Sequence, residues 1–225
     1  MALTDPALLP AALDRIEAFL GKPKRLPPRK ALDWILWENC AYLVNDEKRA
    51  KAYRALADAT KLRAVGILAL PRSELLALAR LGGMIAEKRV EKLLAIAHLV
   101  QDEHGGDLEA ALALPLAKAR RAMKRFPGIG DPGADKILLF TGTHALPALE
   151  SNGLRALVRL GYAREETSYA RMYRTGVAAL APHAERGCAW LMRAYDVLRA
   201  HGQRTCTHNA PACDACMLAE ECPSA

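Results

Sequence analysis

The sequence is poor in the residues that favour β-strands and has few aromatic side chains. Val, Ile and Thr together supply 22 residues and aromatic residues make up 5% of the chain, whereas Ala and Leu supply 78 of the 225 residues. Strands prefer β-branched and aromatic residues, and helices prefer Ala and Leu, so this composition predicts an all-α protein. Hydrophobic residues make up 52% of the chain, which excludes a largely disordered protein.

The chain also lacks apolar runs and the features of a secretory leader. No apolar run approaches the roughly 18 residues that span a bilayer. The N-terminal residues carry acids early, without a basic start or a small-residue cleavage site. These absences predict a cytoplasmic protein without a membrane partner. The net charge of +7 is compatible with a polyanionic partner, although it identifies none.

Most of the chain has the apolar periodicity of amphipathic helices separated by Gly and Pro. Helices are predicted over residues 31–44 and 61–69, among others, and Thr4 is the expected N-cap of the first helix. A basic, proline-rich segment over residues 22–30 is predicted to be extended and to join two domains.

Four of the six cysteines lie in the last 20 residues, with the spacing C-x6-C-x2-C-x5-C. They are Cys206, Cys213, Cys216 and Cys222. Four thiolates so close in sequence can bind one metal centre, and zinc and a [4Fe–4S] cluster both accept four cysteines. Zinc ribbons usually contain two C-x2-C pairs, and this tail contains one. The isolated Cys40 and Cys188 are predicted to be packed thiols on apolar helix faces.

A second motif is a pair of helices joined by a tight glycine turn within residues 119–142. The turn consists of Gly128, Ile129 and Gly130. Its glycines let backbone N–H groups approach an anion beside a helix N-terminus, which favours negative charge. Lys124 and Arg125 add positive charge to the preceding helix. This stretch is expected to bind DNA phosphate without reading sequence, although the turn alone also suits an ordinary helical hairpin.

The cysteine spacing and the glycine hairpin together resemble the endonuclease III branch of the helix-hairpin-helix (HhH-GPD) DNA glycosylase superfamily. FPGIG followed by a helix is similar to that family's LPGVG hairpin, and residues 81–103 are similar to the helix that precedes it. In that branch the four cysteines bind a [4Fe–4S] cluster. The resemblance implies a six-helix hairpin domain at residues 30–144, a discontinuous iron–sulfur cluster domain of residues 1–29 and 145–225, and a cleft between these two helical domains.

The resemblance also implies a catalytic site. Glu150 stands where the family has its catalytic aspartate, and Pro132 stands where bifunctional members have a nucleophilic lysine. Proline has no amine for a Schiff base, so AP-lyase activity by that route is not expected. Lys136, one turn further, could reach the site or could be a solvated or phosphate-facing lysine. Glu150 would stabilise positive charge on the sugar and orient a water, or it would only cap the following helix.

Two asparagines and a short aromatic segment complete the implied DNA contacts. Asn152 has a position where relatives carry His or Asn and is expected to bond the DNA backbone. Asn39 stands where the family inserts a polar wedge into the duplex, although it could equally be a helix-internal amide. Trp34, Trp37 and Tyr42 are predicted to be core residues rather than a base-stacking platform.

These residues imply a monofunctional DNA N-glycosylase of base excision repair with reduced activity. It would flip a damaged or mismatched base out of double-stranded DNA and hydrolyse its N-glycosidic bond with water. It is expected to be monomeric and nucleoid-associated, with a cluster that stabilises the fold. The loop at residues 207–212, which contacts phosphate in the family, has no Lys or Arg here. The alternatives are a non-catalytic protein that binds damaged DNA, which Pro132 and Glu150 favour, and an iron–sulfur redox or sensor protein.

Overall fold

The computed structural model describes residues 3–24 and 28–225, which form α-helices and short 3₁₀ turns. Within these ranges there is no β-sheet, and one isolated bridge pairs Tyr42 with Gly83. The prediction of an all-α protein is confirmed. The helices are α1 (Leu9–Leu20), α2 (Ala31–Asn39), α3 (Asp46–Thr60), α4 (Ala64–Ala69), α5 (Arg72–Leu81), α6 (Ala86–His104), α7 (Glu109–Leu112), α8 (Leu116–Met123), α9 (Asp131–Phe140), α10 (Ser151–Arg159), α11 (Tyr169–Leu180) and α12 (Gly187–Arg204).

The helices divide into two compact units. One consists of Met1–Leu26 with His144–Ala225, and the other is Pro27–Thr143. The assignment of these parts as a cluster domain and a hairpin domain stays a prediction. The predicted extended segment at residues 22–30 lies partly outside the described residues. None of the described helices combines the length and the hydropathy needed to cross a membrane.

The first unit packs α1 against helices from the other end of the chain. Leu13 and Ile16 of α1 are fully buried and share one apolar core with residues of α10, α11 and α12. Arg193 of α12 adds hydrogen bonds to Asp14 and Glu17 of α1, at 2.7 and 2.8 Å. Helix α12 therefore contacts α1 in two ways, through the shared apolar core and through the hydrogen bonds from Arg193 to the two acidic side chains.

The start of the first unit differs from the sequence prediction. Asp5, not Thr4, caps the 3₁₀ turn that precedes α1, since its Oδ1 accepts the N–H of Ala7 at 2.9 Å. The Thr4 hydroxyl instead donates to the carbonyl oxygen of Leu160, at 3.0 Å. Thr4, which was predicted to cap the first helix, therefore forms a long-range hydrogen bond to the residue that follows α10.

Helices α10 and α12 approach each other closely because Gly202 has no side chain. A Cβ atom at Gly202 would lie 2.3 Å from the carbonyl oxygen of Asn152. Any larger residue would push the two helices apart, and overpacking of this kind costs about 1–3 kcal/mol. The contact fixes the first turn of α10 against the last turns of α12.

The second unit is centred on the tryptophans of α2. Trp34 and Trp37 are 1% and 3% exposed, and the Trp34 ring lies 4.9 Å from that of Phe140 in α9, between centroids. Their prediction as core residues is confirmed. The prediction for Tyr42 is wrong, because its side chain is 54% exposed.

Two helix boundaries predicted for this unit are wrong. The helix predicted to reach residue 44 ends at Asn39, and the helix predicted from residue 61 begins at Ala64. Leu43, Lys61 and Leu62 have φ angles of +51°, +54° and +51°, in the left-handed region that no α-helix continues through. Apolar periodicity does not reveal such breaks, because none of these residues is glycine.

Candidate functional site

Helices α8 and α9 flank the glycine turn, and Asn39 at the end of α2 holds that turn. The Asn39 amide donates to the carbonyl oxygens of Pro127 and Ile35, at 2.8 and 2.9 Å. Its Oδ1 lies 2.8 Å from the point that a Cβ of Gly128 would occupy, and Gly128 has a φ of +75°. Glycine is therefore required at position 128 by both space and backbone conformation.

The position of Asn39 differs from that of a wedge. A side chain that enters a duplex must be exposed, whereas Asn39 is 5% exposed and both of its amide hydrogens point to carbonyl groups. The structure agrees better with the interpretation of a helix-internal amide. Asn39 acts on the hairpin and positions it.

The two glycines of the turn have backbone N–H groups that can donate to an anion, whereas the N–H group of Ile129 is already used within the turn. The N–H groups of Gly128 and Gly130 donate to no acceptor in residues 3–24 and 28–225, whereas that of Ile129 donates to the Phe126 carbonyl at 3.1 Å. Both glycines are exposed, and Ile129 is 6% exposed. The turn can therefore hold an anion between two backbone N–H groups at the start of α9.

Gly130 differs from Gly128 because the fold does not require it. It has a φ of −95°, which every residue adopts, and the heavy atom nearest to an added Cβ would be Pro132 Cδ, at 3.9 Å. A glycine at such a position is best explained by the approach of another molecule.

The basic residues beside the turn form ion pairs. The Lys124 Nζ lies 2.6 Å from Asp131 Oδ1, and Arg125 Nη2 donates to Glu103 at 2.6 Å. The side chains of Lys124 and Arg125 are nevertheless 44% and 54% exposed. They lie where the sequence predicts them, with part of their charge already balanced by neighbouring carboxylates.

A buried ion pair joins the two helices of the hairpin. Asp135 of α9 is fully buried, and it accepts a hydrogen bond from Arg120 Nη2 at 2.7 Å. A charge in this environment is stable only with its partner in place. Arg120 thus fixes α8 against α9, and its charge is balanced by Asp135.

Lys136 is buried, so its interpretation as a solvated or phosphate-facing lysine is wrong. Its side chain is 8% exposed and forms an ion pair with Glu38. The Nζ atom also lies 5.1 Å from the centroid of the Trp34 ring, as in a cation–π contact. An amine that forms a Schiff base must reach its substrate, whereas this one is held inside the second unit.

Sequence reasoning missed an exposed apolar tip made of Tyr42, Leu43, Met84 and Ile85. These side chains are 54%, 75%, 63% and 50% exposed. The bridge between Tyr42 and Gly83 joins their two loops. Leu43 and Ile85 have φ angles of +51° and +60°, which for branched side chains signals strain of the kind found at functional sites.

The surroundings of the apolar tip are basic. Lys88 and Lys92, both exposed, line a cavity of about 280 Å³ together with Met84 and Ile85. Arg89 holds the second loop, since its Nη2 donates to the Met84 carbonyl at 2.8 Å. The sequence signal was the pair Met84-Ile85 directly after two glycines and before a helix.

In the first unit, Glu150 caps α10 with both carboxylate oxygens. Its Oε1 accepts the N–H of Gly153 at 2.7 Å, and its Oε2 accepts the Asn152 amide at 2.8 Å. The side chain remains half-buried rather than enclosed. Capping, one of the two interpretations of Glu150, is thus observed, and it fixes the orientation of a carboxylate that still has an open side.

Asn152 belongs to a chain of hydrogen bonds that continues beyond Glu150. Its Oδ1 accepts a hydrogen bond from Arg155 Nη2 at 3.0 Å. Arg155 also donates to the carbonyl oxygens of Gly202 and Cys206, at 2.6 and 3.2 Å. The Glu150 carboxylate is thereby linked through two side chains to the first cysteine of the tail.

The four tail cysteines line one cavity of about 200 Å³. All four are free thiols and partly buried. Among the described residues, no group of three or more His, Cys, Asp or Glu side chains is arranged to hold a single metal ion. Burial, and next the charges of the other three tail cysteines, raise the pKa of Cys222.

Hydrogen-bond donors point at the sulfur atoms of this cavity. Arg159 Nη1 lies 3.6 Å from Cys206 Sγ and donates to the Thr207 carbonyl at 2.6 Å. The N–H of Leu218 lies 3.5 Å from Cys216 Sγ. Donors to sulfur are typical of sites where thiolates bind iron.

His201 also lines the cysteine cavity, and sequence reasoning missed it. Its side chain is 1% exposed, and its Nδ1 has no hydrogen-bond partner among the described residues. Burial lowers the pKa of His201 to about 4, so the imidazole is neutral at neutral pH. The sequence signal was a histidine one turn before Cys206.

The two isolated cysteines differ in environment. Cys40 is 3% exposed and its thiol donates to the Trp37 carbonyl, at 3.3 Å. Burial raises the pKa of Cys40 to about 12. Its prediction as a packed thiol is confirmed, whereas Cys188 is only partly buried.

The arrangement of helices is similar to that of known DNA-bound structures over almost the whole chain. For a trapped covalent intermediate of endonuclease III and DNA, the TM-score is 0.79 at 16% sequence identity, over 99% of this chain and 97% of that chain. The chain has the endonuclease III fold. No protein-family model and no curated protein matches the sequence.

Other solved structures are similar to this chain as well. A thermostable thymine-DNA glycosylase gives a TM-score of 0.73 at 19% identity, over 97% of this chain and 96% of its own. The 3-methyladenine DNA glycosylase (MagIII) of H. pylori, bound to 1,N6-ethenoadenine, gives 0.67 at 15% identity, over 89% and 96%. The resemblance inferred from the cysteine spacing and the hairpin is therefore confirmed for the fold.

The pair of Lys136 and Glu38 provides a test of how this endonuclease III fold is held together. We expect Lys136→Met to lower the free energy of unfolding by about 3 kcal/mol, because the Glu38 carboxylate loses its ion pair with Lys136. The double variant Lys136→Met/Glu38→Leu should recover most of that loss. Chemical denaturation of the two variants and the wild type measures both values, and an unchanged stability of Lys136→Met would contradict a structural role.

Proposed function

We propose that the protein is a DNA glycosylase that releases a damaged or mismatched base from double-stranded DNA, acting as a monomer. The observation that carries this proposal is the likeness of fold to endonuclease III over 99% of the chain. Two local features support it, namely the exposed glycine turn and the half-buried Glu150 carboxylate, each at the position that the sequence resemblance implies. The other similar structures named above are also DNA glycosylases.

The DNA contacts that we infer come from the glycine turn and the apolar tip. The N–H groups of Gly128 and Gly130 would bind a backbone phosphate, with Lys124 and Arg125 nearby. The apolar tip would take the role of a wedge in place of Asn39, since apolar side chains that enter a base step can replace lost stacking. Exposed lysines beside the tip support contact with a polyanion.

The chemistry that we infer is hydrolysis without a covalent enzyme intermediate. Water attacks the anomeric carbon, Glu150 takes the proton of that water, and the base leaves with the electron pair of the N-glycosidic bond. Asn152 and Arg155 would hold the carboxylate in one orientation, which saves reorganisation during the reaction. Pro132 has no amine, so a lyase step through a Schiff base at that position is not part of the proposal.

Replacement of one carboxylate oxygen tests this mechanism. We expect Glu150→Gln to slow base release at least about a hundredfold, because the amide can neither accept the water proton nor balance positive charge on the sugar. Its oxygen can still accept the Gly153 N–H, so the cap should be retained, whereas the hydrogen bond that the Asn152 amide donates to the second carboxylate oxygen is lost. Single-turnover cleavage of duplexes with uracil, oxidised pyrimidine, alkylated purine or mismatched bases, followed by alkali, measures the rate.

Glu185→Gln is the matched control, because it makes the same chemical change at an exposed carboxylate of the first unit, and it should release the base at the wild-type rate. A second candidate function is a protein that binds damaged DNA without cutting it, which the hydrogen bonds on both Glu150 oxygens favour. A gel shift with every duplex, without alkali-labile sites in any of them, would support that candidate and refute the glycosylase.

The glycine turn can be tested apart from the chemistry. We expect Gly130→Ala to fold with unchanged stability, because a Cβ has no neighbour closer than 3.9 Å. The added methyl group would nevertheless separate the turn from a phosphate and weaken duplex binding about tenfold, by roughly 1–1.5 kcal/mol for a lost charge-assisted hydrogen bond. Fluorescence anisotropy with a labelled duplex measures the affinity, and wild-type affinity of a stable Gly130→Ala protein would argue against the phosphate contact.

We also propose that the tail cysteines hold a [4Fe–4S] cluster. All four cysteines line the same cavity, and a [4Fe–4S] cluster takes four cysteine ligands. When bound, the cluster supplies four covalent attachment points for a segment with little apolar surface. We infer that the role of the cluster is to stabilise this segment, and that role requires no part in the hydrolysis.

Reconstitution tests the cluster. Protein reconstituted with iron and sulfide without oxygen should be yellow-brown and absorb at about 400 nm, from charge transfer between sulfur and iron. Cys213→Ser should lose this band and also lower the melting temperature, whereas Cys188→Ser should keep both. A colourless protein that binds stoichiometric zinc would contradict the assignment.

A further inference from the structure

The cavity lined by the four tail cysteines is also lined by the imidazole of His201, a polar group that cysteine ligation does not require. The ring is 1% exposed and borders the same cavity as the four cysteines. The His201 carbonyl accepts the N–H groups of Thr205 and Cys206, at 2.9 and 2.8 Å. The last turn of α12 therefore fixes the ring next to the first cysteine.

The Nδ1 atom of His201 lacks a hydrogen bond within the described part of the chain. An unsatisfied polar atom in a buried side chain costs about 1–3 kcal/mol, so such atoms are rare in folded proteins. Here the ring borders a cavity, and a group that fills the cavity can supply the missing partner. The surrounding thiols and the sulfides of a cluster are both acceptors of hydrogen bonds.

We propose that His201 donates a hydrogen bond from its imidazole to a sulfur atom of the cluster and so sets how readily the cluster is reduced and how slowly it is lost. This inference rests on the cluster part of the proposed function. It makes His201 a positioning and tuning residue, because it touches neither the DNA nor the reacting sugar.

The direction of the effect follows from charge. Reduction adds negative charge to the cluster sulfurs, and a donor to sulfur stabilises that charge and raises the reduction potential. Arg159 is a second donor at the same cavity, 3.6 Å from Cys206 Sγ. Loss of the His201 donor should therefore shift the potential to more negative values without removing the four cysteine ligands.

The experiment uses three variants of the full chain. His201→Leu removes the donor and keeps an apolar side chain in the buried site. His201→Asn keeps an amide N–H close to the place of Nδ1. His208→Leu makes the same chemical change at an exposed histidine of the loop after Cys206, and it serves as the matched control.

Each reconstituted protein is examined by film voltammetry for its reduction potential and by the loss of iron to a chelator in air. His201→Leu should have a lower potential and release iron about tenfold faster, as is usual when a ligand's hydrogen-bond partner is lost. His201→Asn should restore most of both properties, and His208→Leu should resemble the wild type. Exchange into D₂O should shift the iron–sulfur vibrations of the wild type more than those of His201→Leu, which keeps the donors from Arg159 and Leu218.

The outcomes separate this inference from the proposal beneath it. If His201→Leu has the same reduction potential and the same rate of iron loss as the wild type, the role of His201 is overturned. The proposal of a cluster then still stands. Wild-type protein that binds zinc and no iron overturns both the role of His201 and the [4Fe–4S] cluster. The glycosylase activity is tested separately, by the assay of base release. If His201→Leu holds no iron, His201→Asn decides, because a retained cluster supports the inference and its loss in both variants overturns it.

Discussion

The first unit depends on the close contact between α10 and α12 at Gly202. Only glycine lets the Asn152 carbonyl approach that backbone, since a Cβ would lie 2.3 Å away. This approach brings Arg155 within hydrogen-bond distance of Asn152 on its own helix and of Gly202 and Cys206 on the other side. One guanidinium group thereby orients a carboxylate at the start of α10 and supports the loop that begins the cysteine tail. A partly buried arginine with three acceptors holds both ends of this chain of hydrogen bonds in one defined geometry.

The second unit uses its polar residues in the same way. Asn39, Arg120 and Lys136 each stand at a position that an analysis of charge or motif would assign to DNA. Each instead holds the hairpin: Asn39 through Pro127, Arg120 through Asp135, and Lys136 through Glu38. What remains for a ligand is backbone N–H groups, partly paired basic side chains and the apolar tip. Interactions of this kind hold a duplex by its backbone and shape.

The features that could be predicted from the sequence are those that depend on interactions between residues close to one another in the chain. Cysteine spacing, the turn at Gly128 and the cap at Glu150 depend on residues within a few positions of one another, and each is found where it was expected. The burial of Lys136 and Asn39 depends on partners that are distant in sequence, such as Glu38 and Pro127, so charge and periodicity could not reveal it. The exposure of Tyr42 was missed as well, because α2 ends at Asn39 and the left-handed backbone of Leu43 has no glycine to indicate it. That the Nδ1 of His201 has no hydrogen-bond partner among the described residues is visible only in three dimensions.

The core that α1 shares with α10, α11 and α12 has a consequence for how the chain is made. Residues 27–143, which form the other unit, are synthesised between α1 and its partners. Leu13 and Ile16 therefore leave the ribosome long before any surface exists that can cover them, while the hairpin unit is able to fold at once. The shared core of the discontinuous unit can close only after α12 has been translated, which makes its completion a late event in folding.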